Sequence, residues 1–183
     1  MKKLFILVLI VFLAACSTAT PESTQNMPLA NTVAPLTTTS APDSNSNLKP
    51  TASPELEEYV DEVYFILDDL SQANTEMEQL FFLANARGDD YLTNDDWLKR
   101  VNKSLDALID GANKIDAIEP VPAQAEIAHE YFQMAAEQLR LVVASQREFL
   151  IGDVYAAESA TEYMQLHLAY VQKGLDEVYK FQP

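Results

Sequence analysis

Two textures divide the chain, and the longer one is helical. From Glu55 onward, Leu56, Tyr59, Val63, Ile66, Leu70, Ala73, Met77, Leu80 and Ala84 recur at steps of three and four. That spacing sets them along one side of a helix about 30 residues long. Arg87-Gly88-Asp89-Asp90 interrupts the stripe, and Thr93 with Asp96 three residues on predicts a capped start for a second helix. Its stripe is Leu98, Val101, Leu105, Leu108, Ala112 and Ile115. It must stop before Glu119-Pro120-Val121-Pro122, because proline lacks the amide that a helix interior needs. A third stripe runs Ala128, Phe132, Ala135, Leu139, Val142, Gln146 and Phe149, and Ile127, Tyr131, Met134 and Leu141 are expected to widen its apolar face. Gly152 ends that helix and Asp153 is placed to cap a fourth, with the stripe Val154, Ala157, Thr161, Met164, Leu168, Val171, Leu175 and Val178. No stretch alternates with the period of a strand.

The predicted fold is therefore all-α. Connections this short turn each helix back along its predecessor, which gives an antiparallel up-down-up-down four-helix bundle over residues 55–183. A longer hairpin that pairs with a second chain is the alternative left open by the broad third face. In the bundle, both ends of the domain lie with the 119–122 turn, and turns 87–93 and 151–153 form the opposite tip.

The shorter texture precedes this domain. Residues 4–15 (LFILVLIVFLAA) are uniformly apolar after Lys2 and Lys3. Such a run is too short for a spanning helix, which needs about 20 residues, and has the layout of a secretory signal. The only cysteine, Cys16, closes it, so no intramolecular disulfide can form and stability must come from the core. Residues 17–54 are mostly Ser, Thr, Pro, Asn and Ala, with only Glu22, Asp43 and Lys49 charged and no aromatic. They cannot bury enough apolar surface to offset the entropy of ordering them, and are expected to be a disordered tether.

Leu13-Ala14-Ala15-Cys16 resembles the lipobox of bacterial lipoproteins, a likeness confined to the first 16 residues. It implies that the Cys16 thiol receives a diacylglyceryl group, that a peptidase removes residues 1–15, and that Cys16 becomes an acylated, for instance palmitate-bearing, N-terminus. A thiol suits the role because its thiolate is the nucleophile. Two or more chains make such an anchor durable, at about 0.8 kcal/mol per buried CH₂. Ser17 stands where an aspartate would resemble an inner-membrane retention signal. The resemblance thus implies the outer membrane in a two-membrane bacterium, and otherwise the outer face of the cell membrane.

Charge narrows the partners. The chain carries −16 overall, and the acids concentrate after residue 54, a field that repels nucleic acid and anionic lipid. Catalytic chemistry finds no support in the motifs: there is no Gly-x-Ser-x-Gly, no phosphate-binding Gly-rich loop, and no thiol once Cys16 is lipidated. Glu126-Ile127-Ala128-His129 matches the Glu-x-x-His unit of di-iron bundles, but it occurs once, where such sites use two. The two histidines, His129 and His167, fall beside the apolar stripes and are read as boundary residues. Antiparallel helices would hold them on the order of 12 Å apart, too far to share an ion. The acidic loop from Asp89 lacks both the glycine and the closing glutamate of a calcium-binding EF-hand, with Asn94 and Arg100 in those places.

These observations lead to the expectation of a lipid-anchored envelope protein, non-enzymatic, whose acidic helical domain binds another protein or an envelope polymer. No cofactor is expected beyond the lipid on Cys16. The alternative is a haem or metal carrier that uses the bundle interior. Aromatic residues anchor interfaces, so the expected partner-facing tip comprises Asp89, Tyr91 and Trp97.

Overall fold

The structure, a computed structural model, describes residues 52–88 and 93–181. The expected signal 1–15, Cys16 and the tether as far as residue 51 lie outside the described residues, as do Asp89 and Tyr91. Four helices follow one another: α1 (Pro54–Arg87), α2 (Asp95–Asp116), α3 (Glu126–Leu150) and α4 (Ala156–Tyr179). The described residues contain no strand, and none of their helices is long and apolar enough to cross a membrane.

Helix α1 begins where sequence chemistry favours it. The Ser53 hydroxyl accepts the Leu56 amide at 3.2 Å, and Pro54 occupies a first-turn position where its missing amide costs nothing. All nine residues of its apolar stripe are buried, joined by Val60. Gly88, at φ 94°, then takes the left-handed backbone that side chains disfavour.

Helix α2 is capped one residue later than predicted. Asn94, not Thr93, accepts the Trp97 amide at 3.0 Å. Val101, Leu105, Leu108, Ala112 and Ile115 are buried as expected, and Trp97 extends their row by one turn.

Helix α3 widens its buried face on the side opposite to that predicted. Ile127, Met134 and Leu141 are exposed, whereas His129, Ala136 and Val143 are buried. The register of α4 is also corrected by one step in every second position. Its inward row is Ala157, Ala160, Met164, His167, Val171, Gly174 and Val178, while the expected Val154 and Leu168 face solvent. Asp153 acts at the turn, its Oδ1 accepting the Tyr155 amide at 3.0 Å, but α4 itself has no side-chain cap.

Small residues explain how closely the helices approach, with α3 and α4 in the most extensive contact. A Cβ at Gly174 would lie 2.6 Å from Cε1 of the Phe132 ring, and one at Gly111 would strike the Leu70 side chain. Each glycine is thus the hollow into which a large neighbour fits. Between them lies a cavity of about 10 Å³, lined by Leu70, Ile115, Phe132, Leu139, His167 and Val171 among others. It has the volume of about one water.

Cross-helix links fix which parts of the chain meet. Asp69 pairs with Lys114 and Glu76 with Arg100, while Asp116 pairs with Arg140 and Asp106 with Arg147. These pairs are solvent-exposed and each contributes little, about 0–1 kcal/mol. The Ser53 amide donates to Gln124 Oε1 at 3.2 Å, which joins the start of α1 to the α2–α3 connection. Helices α1 and α4 stand further apart, bridged where the Tyr64 and Tyr179 hydroxyls meet at 2.6 Å.

Candidate functional site

The end of the domain that carries Trp97 is built differently from the expected aromatic tip. Trp97 is 1% exposed. Its indole Nε1–H donates to the Leu80 carbonyl at 2.8 Å, and its ring stands edge-on to Phe81 with centroids 5.5 Å apart. Phe81 in turn lies 6.4 Å from Phe149. The indole therefore seals the core and offers no face to a partner, a correction to the reading of Trp97 as partner-facing. An amphipathic ring is buried readily once its N–H is satisfied, and the Leu80 carbonyl does that here. The same end exposes other side chains, in the turn between α3 and α4: Ile151 at 87%, Tyr155 at 80% and Val154 at 45%.

That turn is tightly bonded. The Ile151 amide donates to the Arg147 and Glu148 carbonyls, Gly152 to Phe149, and Asp153 to Glu148. Gly152 takes φ 108°, the left-handed conformation of a helix C-terminal glycine. Proximity to Gly152 was the signal for a turn, but turn residues are usually polar. Sequence reasoning accordingly missed the apolar side chains that this one holds out.

Both histidines are buried, a second correction, since they were placed at the edge of the apolar stripes. His129 Nδ1 lies 3.2 Å from the Tyr59 hydroxyl, with the two rings edge to face at 5.9 Å. Burial holds the His129 imidazole below its ordinary pKa, with Asp116 pulling the other way. Burial raises the Tyr59 phenol, aided by the Glu62 charge. His167 Nδ1 lies 2.9 Å from the Ala135 carbonyl oxygen. A carbonyl only accepts, so Nδ1 carries the proton. Burial lowers this pKa also, with the bond to Ala135 opposing.

The two imidazoles thus have separate partners and do not form one site. Glu126 is exposed while His129 is buried, so the Glu-x-x-His spacing does not bring both onto one ligand face. Among the described residues, no group of three or more His, Cys, Asp or Glu is arranged to hold a metal ion. The remaining aromatic feature is on the flank: Tyr131 and Tyr170 stack at 6.5 Å, and the Lys173 ammonium lies 5.6 and 5.2 Å from their centroids. The cation already satisfies these ring faces.

No protein-family model matches the chain, and none of the curated proteins or solved structures matches it either.

Proposed function

We propose that this chain is a lipid-anchored cell-envelope protein whose acidic helical domain is a non-enzymatic binding or structural module. The observation that carries the reading is Leu13-Ala14-Ala15-Cys16 at the end of a short apolar run, followed by a Ser/Thr/Pro-rich segment. The thiol of Cys16 would become a thioether to diacylglycerol and hold the protein at a membrane. Its location is the outer membrane where there are two membranes, and otherwise the outer face of the cell membrane. Its partner is a protein or an envelope polymer, with no nucleic acid involved.

The domain is further proposed to be an up-down-up-down bundle. Support comes from the order of the pairs: Asp69 with Lys114 and Glu76 with Arg100 between α1 and α2, then Asp116 with Arg140 and Asp106 with Arg147 between α2 and α3. Partner numbers fall on one helix as they rise on the next. In this arrangement residue 52 and the α2–α3 connection face the membrane, and the α3–α4 turn faces away.

Metabolic labelling with a radioactive fatty acid tests the anchor. The wild-type chain should incorporate label and the Cys16→Ser chain should not. Undiminished labelling of Cys16→Ser would overturn the reading.

A further inference from the structure

We propose that the α3–α4 turn is a docking knuckle for a protein segment that presents apolar side chains between Lys or Arg residues. The inference names the partner chemistry for the binding role proposed above, and rests on that reading.

Three apolar side chains, Ile151, Val154 and Tyr155, project from one turn, and the first and last are the two most exposed large hydrophobic residues described. Leaving such groups in water forgoes the burial that would stabilise the fold, and clustered exposed apolar groups mark interaction sites. The backbone beneath them is already ordered. Four amides of residues 151–155 are bonded back to the end of α3 or to Asp153, and Phe149, Phe81 and Trp97 pack behind. A preorganised contact loses little freedom on binding. Tyrosine is also a frequent interface anchor.

Charge chooses the partner. Glu148, Asp153 and Glu158 are exposed around the knuckle, and no Lys or Arg occurs between Arg147 and Lys173. Arg147 itself is paired with Asp106. The apolar centre therefore has an acidic rim with its neighbouring base engaged, which is complementary to an apolar centre with a basic rim. A second copy of this acidic surface, or an anionic lipid headgroup, meets like charge instead.

Glycine supplies the probe, because the chain has four: Gly152 in the knuckle, Gly88 after α1, and Gly111 and Gly174 inside the bundle. The full chain, isotopically labelled at glycine nitrogen and held in non-ionic micelles, is titrated with a synthetic amphipathic helix of Leu and Lys. A helix of Leu and Glu at the same positions is the control. The Leu/Lys peptide should move the Gly152 amide signal and leave Gly111 and Gly174 in place, and added salt should weaken binding. Ile151→Ser and Tyr155→Ser should each weaken it at least about tenfold, as loss of an anchor does. Unmoved Gly111 and Gly174 signals in these variants show that the bundle is intact. A static Gly152 signal, an equal response to the Leu/Glu peptide, or unchanged affinity in both variants overturns the proposal. So does a Gly152 shift that follows protein concentration without peptide, which assigns the turn to a second copy. The titration reads the knuckle whether or not Cys16 is acylated, so its failure is separate from failure of the anchor.

Discussion

The Tyr59 hydroxyl meets Nδ1 of His129 at 3.2 Å, linking side chains 70 positions apart on α1 and α3. Both are buried, so removing one partner leaves the other without a replacement in water. Tyr59→Phe keeps the ring and deletes only the oxygen. It should cost about 1–3 kcal/mol, the range for a buried hydrogen bond that loses a partner. Urea denaturation measures this, and an unchanged midpoint would mean that the bond contributes nothing.

Acid should weaken the fold before carboxylates matter. Burial lowers both His129 and His167 from 6.5, so between the folded and unfolded values the unfolded chain binds more protons and stability rises with pH. Their contribution is complete above about pH 6.5 and is lost as the pH falls from there through the depressed folded values. The urea midpoint should drop as the pH falls below about 6.5, and His167→Gln should flatten part of that slope. Glu78, raised from 4.5 chiefly by burial, has the opposite slope, but only from its unfolded pKa near 4.5 upward to its folded one.

The two interior glycines should respond differently to one methyl group. At Gly174 the new carbon meets three atoms of the Phe132 ring, at 2.6 to 2.9 Å, and a buried ring moves only as a plate. Gly174→Ala should cost about 1–3 kcal/mol, as overpacking does. At Gly111 it meets the end of Leu70, which borders the cavity and can swing into it. The gain in helix propensity, about 1 kcal/mol, then offsets much of the strain. Thermal melts of the two variants compare them directly, and equal losses would contradict this account.

Trp97 is the only tryptophan and doubles as an optical probe. Its burial predicts blue-shifted emission that acrylamide quenches poorly, moving to the red on unfolding. Trp97→Phe loses the bond to the Leu80 carbonyl and leaves that acceptor inside, which should cost about 1–3 kcal/mol. Exposed, readily quenched native emission would count against the packing described.

The end cap of α1 gives a fifth stability test. Ser53→Ala removes the acceptor of the Leu56 amide and should cost about 0.5–2 kcal/mol. Ser53→Asp retains an acceptor and should recover most of that loss in the same denaturation assay.

The sequence revealed positions where large apolar side chains repeat, and concealed those where the inward residue is small or polar. All nine α1 stripe residues are buried because each is distinctly apolar or sits in strict register with neighbours that are. On α4 three of the seven inward residues are Ala160, His167 and Gly174. Hydropathy does not mark His167 or Gly174 as core and points to the adjacent Leu168 and Leu175, while the regular spacing of the stripe selects Thr161 over Ala160. What selects the small residues is the nearness of α3, which a one-dimensional pattern does not contain. His129 was hidden for a related reason: its polar atom is satisfied by Tyr59, a partner far away in the chain. Trp97 was more accessible to reasoning, since four residues before Val101 is a core position. Its closeness to the α1–α2 turn points the other way, toward an exposed tip. Val154 shows the converse case, an apolar residue in register with the stripe that no packing claims.

The bond from the Ser53 amide to Gln124 has a mechanical consequence. Any tension that reaches the domain through residue 52 arrives at a joint shared by the start of α1 and the α2–α3 connection, and so is not borne by α1 alone. If the opposite pull acts at the α3–α4 turn, then in the proposed up-down-up-down arrangement the two forces would be applied at far ends of the domain and would drag the helices lengthwise past one another. Shearing must strain many side-chain contacts together, whereas peeling opens them one by one. With the proposed anchor at one end and the proposed docking turn at the other, the domain would act as a strut that resists being stretched between them.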